Sequence, residues 1–232
     1  MGHHGVVIRT LPRVVAAEPG RPTRGGAQAT RETSRAIAED PSVWTARLAR
    51  ETVDRYAELA PVWNDERGGY RPVPVADALE RGGPLPDGWC VEIGSGTGLL
   101  TPLLARVWSR VVCLDLSPDM LRRSTAPRRV LADASRLPLA GGRAAAVVLA
   151  DVPLFAREVV RVLAPGGVVL WSNALGVDAP HHVPVETVLS VLRRASGGAA
   201  WSGVTAEAGW GLWAVLRRRR LRSRLRPALD SD

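Results

Sequence analysis

Residues 91–98 read VEIGSGTG and connect an apolar run to a helical stretch of the sequence. The apolar run at residues 89–93 predicts a β-strand, and a helix is predicted over residues 99–108. Glycine has no Cβ and adopts positive φ without strain, so the glycines between strand and helix let the backbone approach a ligand closely. The sequence therefore predicts a strand, a ligand-binding loop and a helix, the first unit of an α/β fold.

The charge beside this loop indicates what kind of ligand it binds. Glu92 would repel a pyrophosphate held at the start of the following helix, whereas it would attract a cationic ligand. A dinucleotide-binding loop follows the pattern G-x-G-x-x-G, but Leu99 stands where the third glycine is needed. Both observations argue against a dehydrogenase and favour a positively charged ligand.

The chain beyond the loop alternates short apolar runs with helical stretches, which is typical of a parallel sheet covered by helices on both faces. Further strands are predicted at residues 111–114, 130–132, 144–150, 168–172, 202–206 and 210–216. Further helices are predicted at residues 118–123, 154–163 and 185–194. A short turn separates the last two strands, so we expect an antiparallel hairpin there. The sequence predicts an α/β fold with a seven-stranded, mostly parallel sheet.

An acidic residue lies in or at the end of each of the first three predicted strands. Asp115 ends the second strand and Asp133 the third, while Glu92 lies in the first. Ligands in open α/β sheets bind at the carboxyl ends of the strands, so we expect the three acids to line one crevice. Asp115 can accept hydrogen bonds from both hydroxyls of a ribose. Three carboxylates favour an adenosine ligand that carries positive charge and no phosphate.

Four motifs between residues 89 and 171 resemble, in order, those of the class I S-adenosylmethionine-dependent methyltransferases. They are the glycine motif at 91–98, VCLDLSPDML at 112–121, ADA at 132–134 and LAPGG at 163–167. The resemblance implies a Rossmann-like sheet with the strand order 3-2-1-4-5-7-6. It also implies S-adenosylmethionine as the cofactor and transfer of its methyl group to an O, N or C nucleophile by in-line displacement.

The same resemblance implies residue roles in holding the donor. The methionine end would be held by Glu92 and by the loop residues Gly94, Ser95, Gly96 and Gly98. The ribose would be held by Asp115, the adenine faces by Leu116 and Met120, and the adenine edge by Asp133 or the amide of Ala134.

Two residues are candidates for contact with the reacting groups. Asp151 ends the fourth predicted strand, where it could touch the transferred methyl group or the acceptor, and it is also counted among the donor-binding residues. Its context, DVPL at residues 151–154, departs from the Asp/Asn-Pro-Pro-aromatic pattern typical of amino-group methyltransferases, which disfavours an amino acceptor. His181 is a candidate base; the alternative is that His181 and His182 form a solvated loop pair. Adjacent histidines rarely converge on a metal, so no metal site is predicted.

The remaining chain divides by composition and by the resemblance. The sequence predicts four parts: a mobile segment at residues 1–38, a helical lid at 39–86, the donor-binding domain at 87–217 and a basic tail at 218–232. Asp40 is expected to cap the first lid helix, ahead of a proline. The lid aromatics Trp44, Tyr56, Trp63 and Tyr70 would either line the site or pack the lid.

Charge and composition indicate which kinds of acceptor and partner the protein could bind. The formal net charge is +8, but residues 217–226 hold seven arginines, so the rest is near neutral and a small-molecule acceptor is favoured. The alternatives are an RNA or protein acceptor recruited by Arg217 to Arg226, or a protein that binds the donor without turnover. The longest apolar run, residues 144–150, is far below the roughly 18 to 20 residues that cross a membrane. Cys90 and Cys113 lie within predicted strands, as in cytoplasmic proteins. No oligomeric state is predicted.

Overall fold

The computed structural model describes residues 7–20, 22 and 27–218. Eight strands form one sheet: β1 Val7–Thr10, β2 Trp89–Ile93, β3 Arg110–Asp115, β4 Arg129–Leu131, β5 Ala144–Ala150, β6 Leu163–Asn173, β7 Trp201–Ala208 and β8 Gly211–Arg218. The helices are α1 Ala27–Glu39, α2 Ala46–Leu59, α3 Trp63–Arg67, α4 Pro72–Arg81, α5 Thr101–Ala105, α6 Pro118–Arg123, α7 Ala156–Val162 and α8 Val185–Ala195. Single 3-10 turns occur at Pro41–Val43, Ala60–Val62 and Gly176–Asp178.

The strand order across the sheet is β1-β7-β8-β6-β5-β2-β3-β4. Strand β8 is antiparallel to both neighbours, and the other pairs are parallel. All seven predicted strands are present, and with β1 set aside their order is the implied 3-2-1-4-5-7-6. The predicted α/β fold class is confirmed. The order brings the carboxyl ends of β2, β3 and β5 together at one edge.

The sheet is buried on both faces, which explains its apolar strands. All seven residues of β5 are buried, as expected for a central parallel strand. Helices α7 and α8 pack on one face with Val159 and Leu192, and helices α4 and α5 pack on the other with Ala78 and Leu104. The packing on both faces holds the sheet in place, and with it the edge at which β2, β3 and β5 end.

The N-terminal segment differs from the prediction. Strand β1 pairs in parallel with β7, adding an eighth strand at the sheet edge, and α1 covers residues predicted as mobile. A four-residue strand is too short to show alternation, and α1 is rich in Ala, Thr, Ser and Arg, so its apolar face is weak. Residues 1–38 are therefore partly built into the fold, although residues 1–6, 21 and 23–26 lie outside the described chain.

The predicted lid at 39–86 also needs correction, because α4 belongs to the layer that covers the sheet. Val75 and Ala78 are buried in the cluster beneath the sheet, and Trp213 Nε1 of β8 donates a hydrogen bond to Asp77 at 2.6 Å. Below, the term lid refers to helices α1, α2 and α3, which precede α4. Asp40 accepts a hydrogen bond from the amide of Ser42, but it caps the 3-10 turn, while Thr45 caps α2.

Arg217, near the end of β8, is the first of the arginines that could recruit an RNA or protein acceptor. Arg217 donates hydrogen bonds to the backbone carbonyls of Gly82 and Pro84, at 2.7 and 2.8 Å. This arginine therefore ties β8 to the loop before β2, and it does not extend free into solvent as a phosphate anchor would. Residues 219–226 lie outside the described part of the chain.

Three further sequence expectations concern the helices, the cysteines and the membrane. The helix predicted at 99–108 spans only Thr101–Ala105. Cys90 and Cys113 are buried free thiols, as predicted. Across the described residues, no helix is long and apolar enough to cross a membrane.

Candidate functional site

Two cavities adjoin at the carboxyl edge of the sheet. The first lies over the ends of β2, β3 and β5, and its wall includes Trp44, Tyr56, Trp63, Arg71, Gly94, Gly96, Asp115, Leu116, Met120, Asp133, Ala134, Asp151, Phe155 and His181. The second, of about 560 Å³, lies between α1, α2, α3 and the segment 175–181. This volume is within the range of ligand sites in proteins. Both cavities are lined by Tyr56, Trp63, Arg71, Asp151 and His181, so ligands bound in them would meet there.

The first cavity is narrow, about 80 Å³, with the lid in its present position. The lid side chains Trp44, Tyr56 and Trp63 form part of its wall. Three of the four candidate lid aromatics therefore line the first cavity, and Tyr70 lines the second.

The glycine loop turns as the sequence predicts. Gly94, Gly96 and Gly98 all have positive φ, at 68°, 56° and 79°. Gly94 and Gly96 line the first cavity, whereas Ser95 lies in a smaller hollow beside it. The hydroxyl oxygen of Ser95 is buried and has no hydrogen-bond partner among the described residues, so a polar atom of a ligand could supply the missing hydrogen bond.

Gly98 has a different role from the other two glycines. It lines neither the first cavity nor the hollow, and a Cβ at this position would lie 2.6 Å from Ser124 Oγ. A Cβ at Gly96 would meet nothing closer than Met120 Sδ at 3.7 Å. Gly98 therefore shapes the loop from behind, where a side chain would collide with α6.

Replacing Gly98 with alanine is expected to destabilise the protein by more than the roughly 1–2 kcal/mol of left-handed strain alone, because of the added contact with Ser124. Gly142→Ala is the matched control, since Gly142 also has positive φ, 69°, but open space around the Cβ position. Urea denaturation of both variants measures the difference. Equal losses of stability would show that the contact with Ser124 has no effect.

Asp115 is held in place by two backbone amides, one in the glycine loop and one just after Asp115 itself. Its Oδ2 accepts a hydrogen bond from the Gly96 amide at 2.7 Å, and its Oδ1 accepts one from the Ser117 amide at 2.8 Å. Burial raises the pKa of this carboxyl, while the amide hydrogen bonds act in the opposite direction. The carboxylate is thus pre-oriented on the cavity wall, beside Leu116 and the buried Met120.

Asp133 connects the sheet to the lid. It accepts hydrogen bonds from the Ser135 amide at 2.7 Å and from Trp44 Nε1 at 2.9 Å. The Trp44 ring packs edge-on against Phe155, at 5.7 Å between centroids. Ala134 lies beside Asp133 in the cavity wall.

Glu92 lies apart from the other two acids. It is 2% exposed and accepts hydrogen bonds from Thr101 Oγ1 at 2.7 Å and from Cys113 Sγ at 3.5 Å. It borders the small hollow behind the glycine loop, which shares Gly94, Gly96 and Ile93 with the first cavity. Burial raises the pKa of Glu92 to about 7. The expectation of three acids in one crevice therefore applies to Asp115 and Asp133, with Glu92 in the adjoining hollow.

Asp151 forms an ion pair with Arg71, which lies 80 residues earlier in the chain. Its backbone φ is 52°, unusual for a residue other than glycine, and its side chain is 6% exposed. Arg71 Nη1 donates to Asp151 Oδ2 at 2.8 Å, and Nη2 donates to the Ala150 carbonyl. Asn173 and the Ala174 amide also donate to the carboxylate. The Asp151 charge is therefore already compensated at the junction of the two cavities.

His181 is buried and not solvated, which corrects the alternative of a solvated loop pair. Its Nδ1 lies 2.8 Å from Ser34 Oγ, and its Nε2 lies 3.1 Å from the Tyr56 hydroxyl. Burial lowers the pKa of His181 to about 4, so the ring is neutral near pH 7. His182 is also buried, beside Asn173 Oδ1, and lines neither cavity. Within the described chain, no three His, Cys, Asp or Glu side chains could together hold a metal ion.

Arg67 and Arg71 are the residues that the sequence did not single out. Both line the second cavity, and their guanidinium groups lie over the Trp63 ring, at 4.2 and 5.0 Å from its centroid. With 31 arginines and no lysine in the chain, neither stands out by residue type. Only the four-residue spacing beside Trp63 and Tyr70 could have suggested a shared face.

The sheet order, the glycine loop and the acids at the strand ends define the class I S-adenosylmethionine-dependent methyltransferase fold. Residues 91–171 match the family model described as a methyltransferase domain. The chain is 30% identical over 179 residues to a malonyl-acyl-carrier-protein O-methyltransferase of Serratia marcescens, covering 63% of this chain and 69% of that protein. This protein therefore belongs to the class I methyltransferases, and its cofactor is S-adenosylmethionine.

Solved structures agree with this fold. A DhpI–SAH complex superposes with a TM-score of 0.58 at 22% identity, covering 77% of this chain and 100% of that one. SpnF, described as a 4+2 cyclase, superposes with a TM-score of 0.59 at 14% identity, covering 75% and 97% of the two chains. At these identities the superpositions show the fold alone.

Proposed function

We propose that the protein transfers the methyl group of S-adenosylmethionine to an oxygen of a small-molecule acceptor, with the donor in the first cavity and the acceptor in the second. The observation that carries this proposal is that the two cavities adjoin at Tyr56, Trp63, Arg71, Asp151 and His181. A donor methyl group directed at this junction would face an acceptor in the second cavity.

The donor placement follows the wall of the first cavity. Asp115 would accept from the ribose hydroxyls, because its carboxylate is already oriented by the Gly96 and Ser117 amides. Leu116 and Met120 would contact the adenine faces, with Asp133 and Ala134 at the adenine edge. The methionine end would run along Gly94, Ser95 and Gly96 towards the hollow that holds Glu92. Arg71 borders the same hollow and would face the methionine carboxylate.

The chemical step needs mainly positioning. A sulfonium methyl group is already activated, so the protein must hold a nucleophile in line with the carbon–sulfur bond and exclude water. The aromatic side chains of Tyr56 and Trp63 line the junction, with Trp44 in the wall of the first cavity, and they would exclude water there. Asp151 and His181 would orient the reacting groups from their fixed hydrogen bonds.

Two further observations support the acceptor class. The Serratia relative is named an O-methyltransferase, and an oxygen acceptor fits the absence of the amino-group motif after Asp151. The second cavity lies between α1, α2 and α3, and its volume of about 560 Å³ suits a small molecule or the end of a larger one. The buried free thiols Cys90 and Cys113 support a cytoplasmic location.

Replacing Asp115 with alanine is expected to weaken S-adenosylmethionine binding by about 1–3 kcal/mol, because ribose hydroxyls and loop amides lose their acceptor. Calorimetric titration measures the dissociation constant. Asp87→Ala, at an exposed position before β2, is the control and should bind as the wild type does. Unchanged affinity in Asp115→Ala would refute the ribose assignment and, with it, the donor placement in the first cavity.

A further inference from the structure

Three polar side chains from distant parts of the chain form a hydrogen-bonded series beside the junction of the cavities. Ser34, on α1, has its Oγ 2.8 Å from His181 Nδ1. The Nε2 atom of the same ring lies 3.1 Å from the hydroxyl of Tyr56, on α2. Both distances are those of hydrogen bonds, and each of the three groups can donate or accept. The direction of donation therefore has to be worked out from the series as a whole.

The hydroxyl of Ser34 sets this direction. Among the described residues its Oγ has no hydrogen-bond partner except His181, and Ser34 is only 1% exposed, so water does not reach it. A buried donor without an acceptor is costly, so Ser34 donates to Nδ1, and Nδ1 carries no proton. Burial lowers the pKa of His181 to about 4, so the ring is neutral near pH 7. Its single proton therefore lies on Nε2.

Tyr56 ends the series with a free donor. Nε2 donates to the Tyr56 oxygen, and no other group in the described part of the chain accepts the proton of the Tyr56 hydroxyl. The opposite direction would satisfy Tyr56 but would leave the Ser34 hydroxyl without an acceptor. Tyr56 lines both cavities, where a ligand can accept from it, whereas Ser34 lines neither. Burial also raises the pKa of Tyr56, so its hydroxyl keeps its proton near pH 7.

We propose, resting on the function proposed above, that Tyr56 donates a hydrogen bond to the nucleophilic atom of the acceptor and so selects oxygen over nitrogen. An acceptor oxygen has two or more lone pairs, so one can accept from Tyr56 while another attacks the methyl carbon. A neutral amine has a single lone pair, and a hydrogen bond from Tyr56 occupies the pair that must attack. Tyr56 neither gains nor loses a proton in this role; it acts by orienting the nucleophile.

Ser34 and His181 are positioning residues in this account, because they act on the acceptor only through Tyr56. Together they hold the Tyr56 oxygen and keep its proton directed away from the imidazole. The sequence DVPL at residues 151–154 already disfavours an amino acceptor, and the direction of the series supplies a physical reason for that preference. A merely structural series would affect stability without distinguishing oxygen from nitrogen acceptors.

The first test locates the proton on His181. The full chain, loaded with S-adenosylhomocysteine and labelled with ¹⁵N in its four histidines, is studied by NMR near pH 7, and His181→Gln identifies the signals of residue 181. We expect Nε2 to be protonated and Nδ1 not. A proton on Nδ1 would mean that Tyr56 donates to His181, which overturns the proposal. In Ser34→Ala the preference for Nε2 should weaken; an unchanged ring would overturn the role of Ser34.

The second test compares the products of the wild type and Tyr56→Phe. Phenylalanine removes the hydroxyl but keeps the ring that packs edge-on against Trp63, at 5.6 Å between centroids. Each protein is incubated with methyl-labelled S-adenosylmethionine and a small-molecule cell extract, to which equal amounts of phenol and aniline are added. Mass spectrometry separates O-methyl from N-methyl products. We expect the wild type to form O-methyl products, and Tyr56→Phe to form them about tenfold more slowly with a larger share of N-methyl products.

The control and the contrary outcomes make this test specific. Thr205→Val also removes a hydroxyl, one that donates to the Trp213 carbonyl at 2.6 Å in β7, outside both cavities, and it should behave as the wild type does. An unchanged rate of O-methylation in Tyr56→Phe, or an equal fall in both kinds of product, would overturn the proposal. Absence of any methylated product from the wild type would instead refute the function on which the proposal rests.

Discussion

Replacing Arg71 with methionine is expected to lower the free energy of unfolding by about 3–5 kcal/mol, the range for breaking a buried ion pair. The Arg71 and Asp151 side chains are only 11% and 6% exposed, and the substitution leaves the Asp151 carboxylate without its cation. Its remaining donors, Asn173 and the Ala174 amide, lie at 3.2 Å and carry no charge. Urea denaturation near pH 7 measures the loss.

Two variants make this result specific. Arg122→Met removes one member of the ion pair with Asp119, whose side chains are 64% and 31% exposed, and should cost no more than about 1 kcal/mol. Adding Asp151→Asn to Arg71→Met should recover much of the stability, since asparagine removes the uncompensated charge and tolerates the positive φ of residue 151. If Arg71→Met is no more destabilising than Arg122→Met, the buried ion pair between Arg71 and Asp151 does not stabilise the fold.

Replacing Glu92 with glutamine should remove a pH dependence from donor binding. The pKa of Glu92 is about 7, raised by burial, so the side chain is partly protonated at neutral pH. A cationic donor favours the ionised form, and the protein must lose a proton to bind it at lower pH. We expect the affinity of the wild type to fall about tenfold per pH unit below 7, or about a hundredfold at pH 5. Calorimetry from pH 5 to 8 measures this slope.

The stability of the ligand-free protein should respond in the opposite direction. Because the pKa of Glu92 is raised from 4.5, the folded chain binds its proton more tightly than the unfolded chain does. Stability therefore falls as pH rises from about 4.5 to 7, and Glu92→Gln should be more stable than the wild type above pH 7 while binding the donor more weakly. Identical pH slopes in the two proteins would contradict the assignment. The raised pKa of Asp115 contributes to both proteins and cancels in the comparison.

Much of the wall of the first cavity could be predicted from sequence because its residues follow strands directly. The loop at 91–98, Asp115 and Asp133 each come at or just after a strand, and parallel strands end at a common edge. Once the strands were assigned, local chain order placed these residues on one wall. The same holds for the paired strands β7 and β8, which a short turn joins.

The second cavity could not be predicted, because it depends on contacts between residues far apart in the chain. Arg71 and Asp151 are separated by 80 residues, and Ser34 and His181 by 147. Periodicity within the lid shows an apolar face but does not show which part of the sheet it covers. His181 and His182 therefore looked like a solvated pair, although the lid buries both.

The packing of α4 could not be predicted from sequence for a related reason. Helix α4 is amphipathic like α2, yet its apolar face packs against the sheet through Val75 and Ala78, and its Asp77 accepts a hydrogen bond from Trp213. Strand β1 gives no signal of its own, since its four residues gain their hydrogen bonds only from β7. The positions of α4 and β1 therefore depend on contacts with distant parts of the chain.

Calorimetric titration of the wild-type protein with S-adenosylmethionine and, separately, with NAD compares a cationic, phosphate-free adenosine ligand with an anionic dinucleotide. The carboxylates of Glu92, Asp115 and Asp133 around the glycine loop predict a dissociation constant in the micromolar range for S-adenosylmethionine and no detectable binding of NAD. Binding of NAD as tight as that of S-adenosylmethionine, or no binding of S-adenosylmethionine, would contradict the assignment of this edge of the sheet to a cationic methyl donor.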